Sequence, residues 1–431
     1  MAKSYNAAAR PPMGWNSWDC YGAGVTEEIL MANARYMRER LAAHGWEYVV
    51  CDIQWYEPTA FSCNYHNFAP LCMDDLSRLL PAENRFPSAK DGKGFRDIAD
   101  RIHDMGLKFG IHMMRGVPRQ AVHAHTPIAC EGKTAADIAA AYSLCPWNTD
   151  MYGVDPSKEG AFEYYLSVFE LYASWGVDYV KIDDICNTEF KKDDPYSAKK
   201  ELELIRRAMD CCGREMVLSL SPGPAQIEHA FHLSQHADLW RLTGDFWDEW
   251  DKLREMFTVC ERWYPHVGSG CWPDCDMLPL GLLRVGTDEE KYTRFTRDEQ
   301  RMMMTLWCVF RSPLMFGGDM TRNDAFTESL LTNDDVLGLC IDSTGNRPLV
   351  SESDRAVWTC LDGSGRRVLA FFNLSDRAQE IYPPYESAGL DETRAYAITD
   401  LWTGKTDATN TPPASLNLPA HSTILLRFEE Q

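Results

Sequence analysis

The segment 178–185, DYVKIDDI, sets charged residues at the end of an otherwise apolar run. Side chains alternate along a strand, so Tyr179, Lys181 and Asp183 would share one face while Asp184 points to the other. A lysine two residues before an aspartate on one face favours the ionised carboxylate, the form a nucleophile needs. A second cluster, DLWRLTGDFWDEW over 238–250, puts Arg241 at a strand end and Asp245 in the loop beyond it. Two carboxyl groups about 5–5.5 Å apart, one ionised to attack and one protonated to assist departure, can open a glycosidic bond with retention. Asp183 and Asp245 are the candidates for that pair. Each also has a structural use: an ion pair or helix cap for Asp183, and the N-cap of a helix starting near Phe246 for Asp245.

Aromatic residues crowd the same regions: Trp15 and Trp18, Trp55 and Tyr56, and Trp272. Sugars present apolar C–H faces that stack on aromatic rings, so such residues around carboxylates suit a carbohydrate. No compact His/Glu or HxH ligand cluster sits at a strand end, so no metal and no cofactor are expected. The formal charge of −21 argues against nucleic acid, whose binding needs clustered Lys and Arg. A small-molecule or oligosaccharide substrate is the expected partner, and the oligomeric state is open.

Placing these residues together requires a scaffold. Between 12 and 316 short β-rich runs alternate with longer helical stretches, the pattern of parallel βα units. Strands are expected at PMGWN near 12, WEYVVCD to 52, LKFGIHMM to 114, VDYVKID to 183, EMVLSLS to 221 and ADLWRL to 242, with a weaker one at HVGSG near 266 and the last in CVFRSPLMF near 308. Helical periodicity runs over 27–44, 95–105, 159–175, 196–211 and 296–308. Eight such units predict a (β/α)8 barrel, whose active site lies at the C-terminal strand ends, with long loops at 55–94 and 115–158 to shape it.

After about 345 the pattern becomes short alternating strands, AVWTCL, RVLAFFNLS, RAYAITDLW and STILLRF, which predicts a C-terminal antiparallel β-sandwich. The expected division is a catalytic barrel over 1–344 and an all-β domain over 345–431. No signal-peptide core and no membrane-length apolar run is read in the 431 residues, so a cytoplasmic location away from membranes is expected. The fifteen cysteines, without paired CxxC spacings, read as mostly reduced thiols.

These motifs resemble glycoside hydrolase family 27, the melibiase family of retaining α-galactosidases and α-N-acetylgalactosaminidases. The resemblance runs from PPMGWNSW at 11–18, through the K-x-D at Lys181 and Asp183 and the W-R with a following acid at Arg241 and Asp245, to W-x-D-x-D-M-L at 272–278. It implies Asp183 as nucleophile and Asp245 as acid/base, with Trp18, Asp52, Lys181, Arg241, Asp276 and Met277 lining the sugar pocket. An α-galactoside-like sugar is the substrate class so implied. Three positions depart from the pattern. Ile53 follows Asp52 where a second aspartate usually holds the 4- and 6-hydroxyls, which fits β-L-arabinopyranose. Ser221 stands where a glutamate usually meets the 2-hydroxyl, which fits a 2-acetamido group. Ile185 stands where a disulfide cysteine is frequent, with Cys186 beside it and Cys145 upstream.

Overall fold

The computed structural model describes residues 2–61 and 65–430. Eight parallel strands form one curled sheet: β1 (Met13–Asn16), β2 (Tyr48–Cys51), β3 (Lys108–Met114), β4 (Tyr179–Asp183), β5 (Val217–Leu220), β6 (Leu239–Arg241), β7 (Trp272–Asp274) and β8 (Leu314–Phe316). Their spatial order is β7-β6-β5-β4-β3-β2-β1-β8. The ring closes just beyond β7, where the Leu278 amide donates to the Met315 carbonyl (2.7 Å) and the Gly317 amide donates to the Leu278 carbonyl (2.9 Å).

Each strand leads to a helix: α1 (Glu27–Tyr36), α2 (Arg96–Asp104), α3 (Ala161–Trp175), α4 (Lys199–Cys211), α5 (Ala230–His236), α6 (Trp250–Trp263), α7 (Arg297–Phe310) and α8 (Ala325–Leu331), with α9 (Asp334–Asp342) after the last. Local signals start them. The Thr26 hydroxyl accepts from the Ile29 amide at α1, and Thr296 and Glu299 form a reciprocal capping box at α7. Their apolar faces pack on the outside of the barrel, while the inward residues Tyr48, Val50, Tyr179, Val217, Leu239, Trp272 and Met315 fill its centre. Glycine makes room for the two tyrosines: a Cβ on Gly14 would lie 2.4 Å from the Tyr48 carbonyl oxygen, and one on Gly110 3.0 Å from the Tyr179 Cβ. This packing aims Lys181 and Asp183, next along the Tyr179 face, into the mouth.

Two strands lie elsewhere than expected. HVGSG is not the seventh strand: Tyr264–His266 is a 3-10 turn, and Gly268 and Cys271 pair in a tight turn through Gly270 at φ 71°. The strand is the next three residues, where Pro273 breaks the usual sequence signal for a strand. In CVFRSPLMF the first three residues continue α7, which ends where Arg311 adopts φ 67°, and only Leu314–Phe316 is extended. The loop after β3 also carries an unforeseen antiparallel sheet of Val117–Pro118, Ala139–Leu144 and Met151–Val154.

The C-terminal module is a six-stranded antiparallel sheet: β9 (Thr344–Ser351), β10 (Arg355–Leu361), β11 (Arg367–Asn373), β12 (Tyr396–Asp400), β13 (Thr406–Asn410) and β14 (Thr423–Glu430), in the order β9-β10-β11-β14-β12-β13. Period-two alternation splits its side chains. Ala356, Trp358, Val368, Ala370 and Phe372 join the core shared with the barrel, while Val357, Leu369 and Phe371 pack with Ile381 and Leu418 of a two-stranded ribbon. Among the described residues no helix is long and apolar enough to cross a membrane, no group of His, Cys, Asp and Glu has metal-holding geometry, and fourteen cysteines, Cys145 and Cys186 included, are free thiols.

Candidate active site

Trp18, Asp52, Lys181, Asp183, Arg241, Asp245, Asp276 and Met277 line one cavity of about 360 Å³ at the C-terminal ends of the strands. The two remaining candidates lie off its wall. Ile53 is 1% exposed and packs in the apolar core rather than on the cavity wall. Ser221 is buried, with its neighbours Pro222 and Gly223 forming the wall instead.

Asp183 ends β4 and is 8% exposed. Its Oδ2 lies 3.0 Å from His112 Nε2, and its Oδ1 accepts from the Asp184 amide at 3.2 Å. Burial alone would raise this carboxyl, but the His112 hydrogen bond, the Lys181 charge and the Ser221 hydroxyl together hold it well below the ordinary range. Lys181 does not grip Asp183 directly, because its Nζ donates to Asp52 Oδ2 at 3.0 Å. Asp52 Oδ2 also accepts from Asn16 Nδ2 at 2.7 Å, and Oδ1 accepts from the Ile53 amide at 2.9 Å. Burial pushes Asp52 up; Lys181 and these donors outweigh it, and the carboxyl titrates below its usual range.

Asp184 points away from the cavity, as the strand alternation requires. Its Oδ2 meets Arg115 Nη2 at 2.7 Å, and Arg115 also serves Glu201 at 3.1 Å. One buried guanidinium between two carboxyls leaves Asp184 pushed up to about 7, chiefly by burial.

On the opposite side Arg241 Nη2 pairs with Asp276 Oδ2 at 2.7 Å and with Asp245 Oδ1 at 3.3 Å, and donates to the Gly244 carbonyl at 2.7 Å. Asp276 Oδ2 also accepts from the Phe246 amide at 2.8 Å. Burial raises the Asp276 carboxyl against the pull of Arg241. The Asp245 side chain is 61% exposed at the cavity rim. It caps nothing, since the next helix starts at Trp250 behind Glu249.

The aromatic wall differs from expectation. Of the five aromatic candidates only Trp18 lines the cavity; Trp15, Trp55, Tyr56 and Trp272 are buried, with their N–H or O–H groups on internal acceptors. The wall is built by Trp18 stacked on Tyr65 (5.5 Å between centroids), which adjoins Trp147 at 5.6 Å, with Phe246 and Trp247 across from them. Tyr65 and Trp147 sit in the long loops after β2 and β3, without periodicity to mark them. His112 was missed as well, hidden in the apolar run of β3.

A (β/α)8 barrel whose mouth combines carboxylates, two cations and stacked aromatics defines a carbohydrate-processing enzyme. Comparison with known proteins gives the family. Residues 153–342 match the model described as alpha galactosidase A, and 352–428 the alpha galactosidase C-terminal beta sandwich domain. The structure resembles that of a family 27 β-L-arabinopyranosidase from Geobacillus stearothermophilus, at 51% identity and TM-score 0.94, covering 98% of this chain and 97% of that one. A Bacillus halodurans C-125 protein assigned as an α-N-acetylgalactosaminidase is 48% identical, with TM-score 0.88 and full coverage of both chains (100% and 100%). An α-galactosidase of Coffea arabica is 27% identical over 414 residues, 95% of this chain and 91% of the relative. The chain belongs to glycoside hydrolase family 27 and is a glycoside hydrolase.

Proposed function

We propose that the enzyme removes terminal sugars of galacto configuration with retention, and that β-L-arabinopyranoside is its preferred substrate. Asp183 is the nucleophile and Asp245 the acid/base. In the first step an Asp183 oxygen bonds to the anomeric carbon as the glycosidic bond breaks, and the Asp245 proton passes to the departing oxygen. In the second step Asp245, now a carboxylate, takes a proton from water, the water oxygen bonds to the anomeric carbon, and Asp183 leaves as a carboxylate. The donors around Asp183 suit both halves, since they favour its ionised form before attack and after release. Lys181, Asp52, Arg241 and Asp276 hold ring hydroxyls, and Trp18 with Tyr65 takes an apolar sugar face. The division into a catalytic barrel over 1–344 and a β domain over 345–431 belongs to the same reading.

The preference rests on one observation: where a second carboxylate would follow Asp52, Ile53 packs in the apolar layer. β-L-Arabinopyranose has the ring arrangement of α-galactose without the hydroxymethyl arm, so it loses least from that absence. The 2-acetamido alternative keeps the support of the 48% identity to the Bacillus halodurans protein but not of Ser221, which lies off the cavity wall with its hydroxyl serving Asp183. The 51% identity to the Geobacillus arabinopyranosidase, a variant of which has been solved with arabinose, points the same way. Aryl β-L-arabinopyranoside, α-galactoside, α-N-acetylgalactosaminide and α-glucoside test it. The arabinopyranoside is expected to lead in kcat/KM by about tenfold or more, the worth of one lost polar contact. A higher value for the N-acetylgalactosaminide would overturn the preference.

A further inference from the structure

The imidazole of His112 is fully buried at the end of β3. Nε2 lies 3.0 Å from Asp183 Oδ2, while Nδ1 is buried with no hydrogen-bond partner among the described residues. The main chain of His112 is tied independently, since Trp55 Nε1 donates to its carbonyl at 2.7 Å. The side chain is therefore free of any other visible bonding duty.

We propose that His112 is a positioning residue for the covalent step: its Nε2–H donates to Asp183 Oδ2, fixing the carboxylate plane and favouring its ionised form before attack and on release. This rests on Asp183 being the nucleophile. The hydrogen bond to His112, followed by its charge, leads the influences that oppose burial at Asp183. The other groups facing Asp183 are Lys181 on its own strand, Ser221 beyond β5, Arg241 on β6, Tyr65 from the loop after β2, the neighbouring Asp184, and the thiols of Cys145 and Cys186. Of these only Lys181 and Arg241 bring positive charge, and both are already engaged, with Asp52 and Asp276 respectively. The Ser221 hydroxyl and the Asp184 amide also serve Asp183, the amide at Oδ1, and His112 is the side chain hydrogen-bonded to Oδ2 among the described residues.

The test compares His112→Gln, whose amide nitrogen can occupy the Nε2 position without titrating, with His112→Phe, which fills the space without a donor. The acidic limb of kcat/KM reports the nucleophile in the free enzyme. In His112→Phe it should move up by about one to two pH units, the equivalent of one charge-assisted hydrogen bond, and in His112→Gln it should return to within about half a unit of wild type. His112→Ala, with and without added imidazole, gives the same comparison if the Phe variant does not fold. An unmoved limb in the folded Phe or Ala variant overturns the proposal, as does a Gln variant displaced as far as Phe. Peptide mapping of the trapped glycosyl-enzyme in the wild type separates the two readings. A sugar on Asp183 with an unmoved limb removes only the role of His112, and a sugar on another residue removes the nucleophile assignment with it.

Discussion

Lys181→Met removes one charge from a buried pair while keeping the length and most of the bulk of the side chain. Lys181 is 13% exposed and Asp52 2% exposed, with 3.0 Å between Nζ and Oδ2. Removing one partner of a buried pair typically costs about 3–5 kcal/mol, because the other charge is left in low dielectric. Asp52 keeps Asn16 Nδ2 at 2.7 Å and the Ile53 amide at 2.9 Å, so a loss near the lower end, about 3 kcal/mol at pH 7.5, is expected. Lys181→Met/Asp52→Asn, with neither charge, should lie within about 1 kcal/mol of wild type, since replacing both members is often neutral. The gap has a definite pH dependence. In wild type the depressed Asp52 contributes stability above its unfolded pKa, near 3.9, that is lost as pH falls through the folded value. Without Lys181 the remaining donors no longer outweigh burial, the folded pKa rises above the unfolded one, and stability is lost instead as pH increases. Urea unfolding followed by tryptophan fluorescence should show the difference between wild type and single variant growing from pH 4.5 to pH 7.5. A cost below about 1 kcal/mol at pH 7.5, or a double variant no more stable than the single one, would refute the reasoning.

Asp183→Asn should abolish turnover of aryl glycosides, by several orders of magnitude, while sugar binding survives in calorimetry; more than about a tenth of wild-type activity would contradict the assignment. Asp184→Asn should retain most activity, as the side chain faces Arg115, and asparagine tolerates φ 56° there. With its folded pKa raised to about 7, Asp184 contributes stability that is complete below about 3.9 and lost as pH rises through 7, so the Asn variant should show a flatter stability profile across that window. For Asp245→Ala, substrates with good leaving groups should still form the glycosyl-enzyme, and azide should restore turnover; a folded variant that azide does not rescue moves the role elsewhere. Ile53→Asp puts a carboxylate into the apolar core beside Asp52, so it should lower stability in urea unfolding by roughly 2 kcal/mol or more, and a variant as stable as wild type would contradict that packing.

Barrel and C-terminal sheet were legible because period-two and helical apolar patterns mark buried faces whatever the partner. The same alternation separated Asp183 from Asp184, which end on opposite sides of β4. Where patterns are short they failed. Three residues with a central proline, Trp272–Asp274, carry too little alternation to stand out, and the apolar face of α7 ran on into the sequence before β8. Contacts across the barrel were not legible at all. Lys181, two residues from Asp183, favours its ionised form through charge while its amine reaches Asp52, and the hydrogen-bonded side chain at Asp183 Oδ2 is His112, 71 positions earlier in a strand that reads as core. Tyr65 and Trp147 show why loops hide binding residues: a tyrosine or tryptophan in an aperiodic segment has no face to predict, and only the fold stacks both beside Trp18. Ile53 adjoins Asp52 in the chain, but its side chain packs in the apolar core rather than on the cavity wall.

The central claim, covalent catalysis at Asp183, is tested most directly by locating the sugar on the enzyme. Asp245→Ala incubated with an activated aryl β-L-arabinopyranoside, or with whichever aryl glycoside of the panel turns over best, should accumulate the intermediate, which is then quenched in acid, digested and sequenced by tandem mass spectrometry. One pentosyl or hexosyl unit in ester linkage to Asp183, absent from the Asp183→Asn/Asp245→Ala protein, is the predicted result. A sugar on Asp184, Asp276 or Asp52, or no covalent adduct while the retained-configuration product still forms, would contradict it.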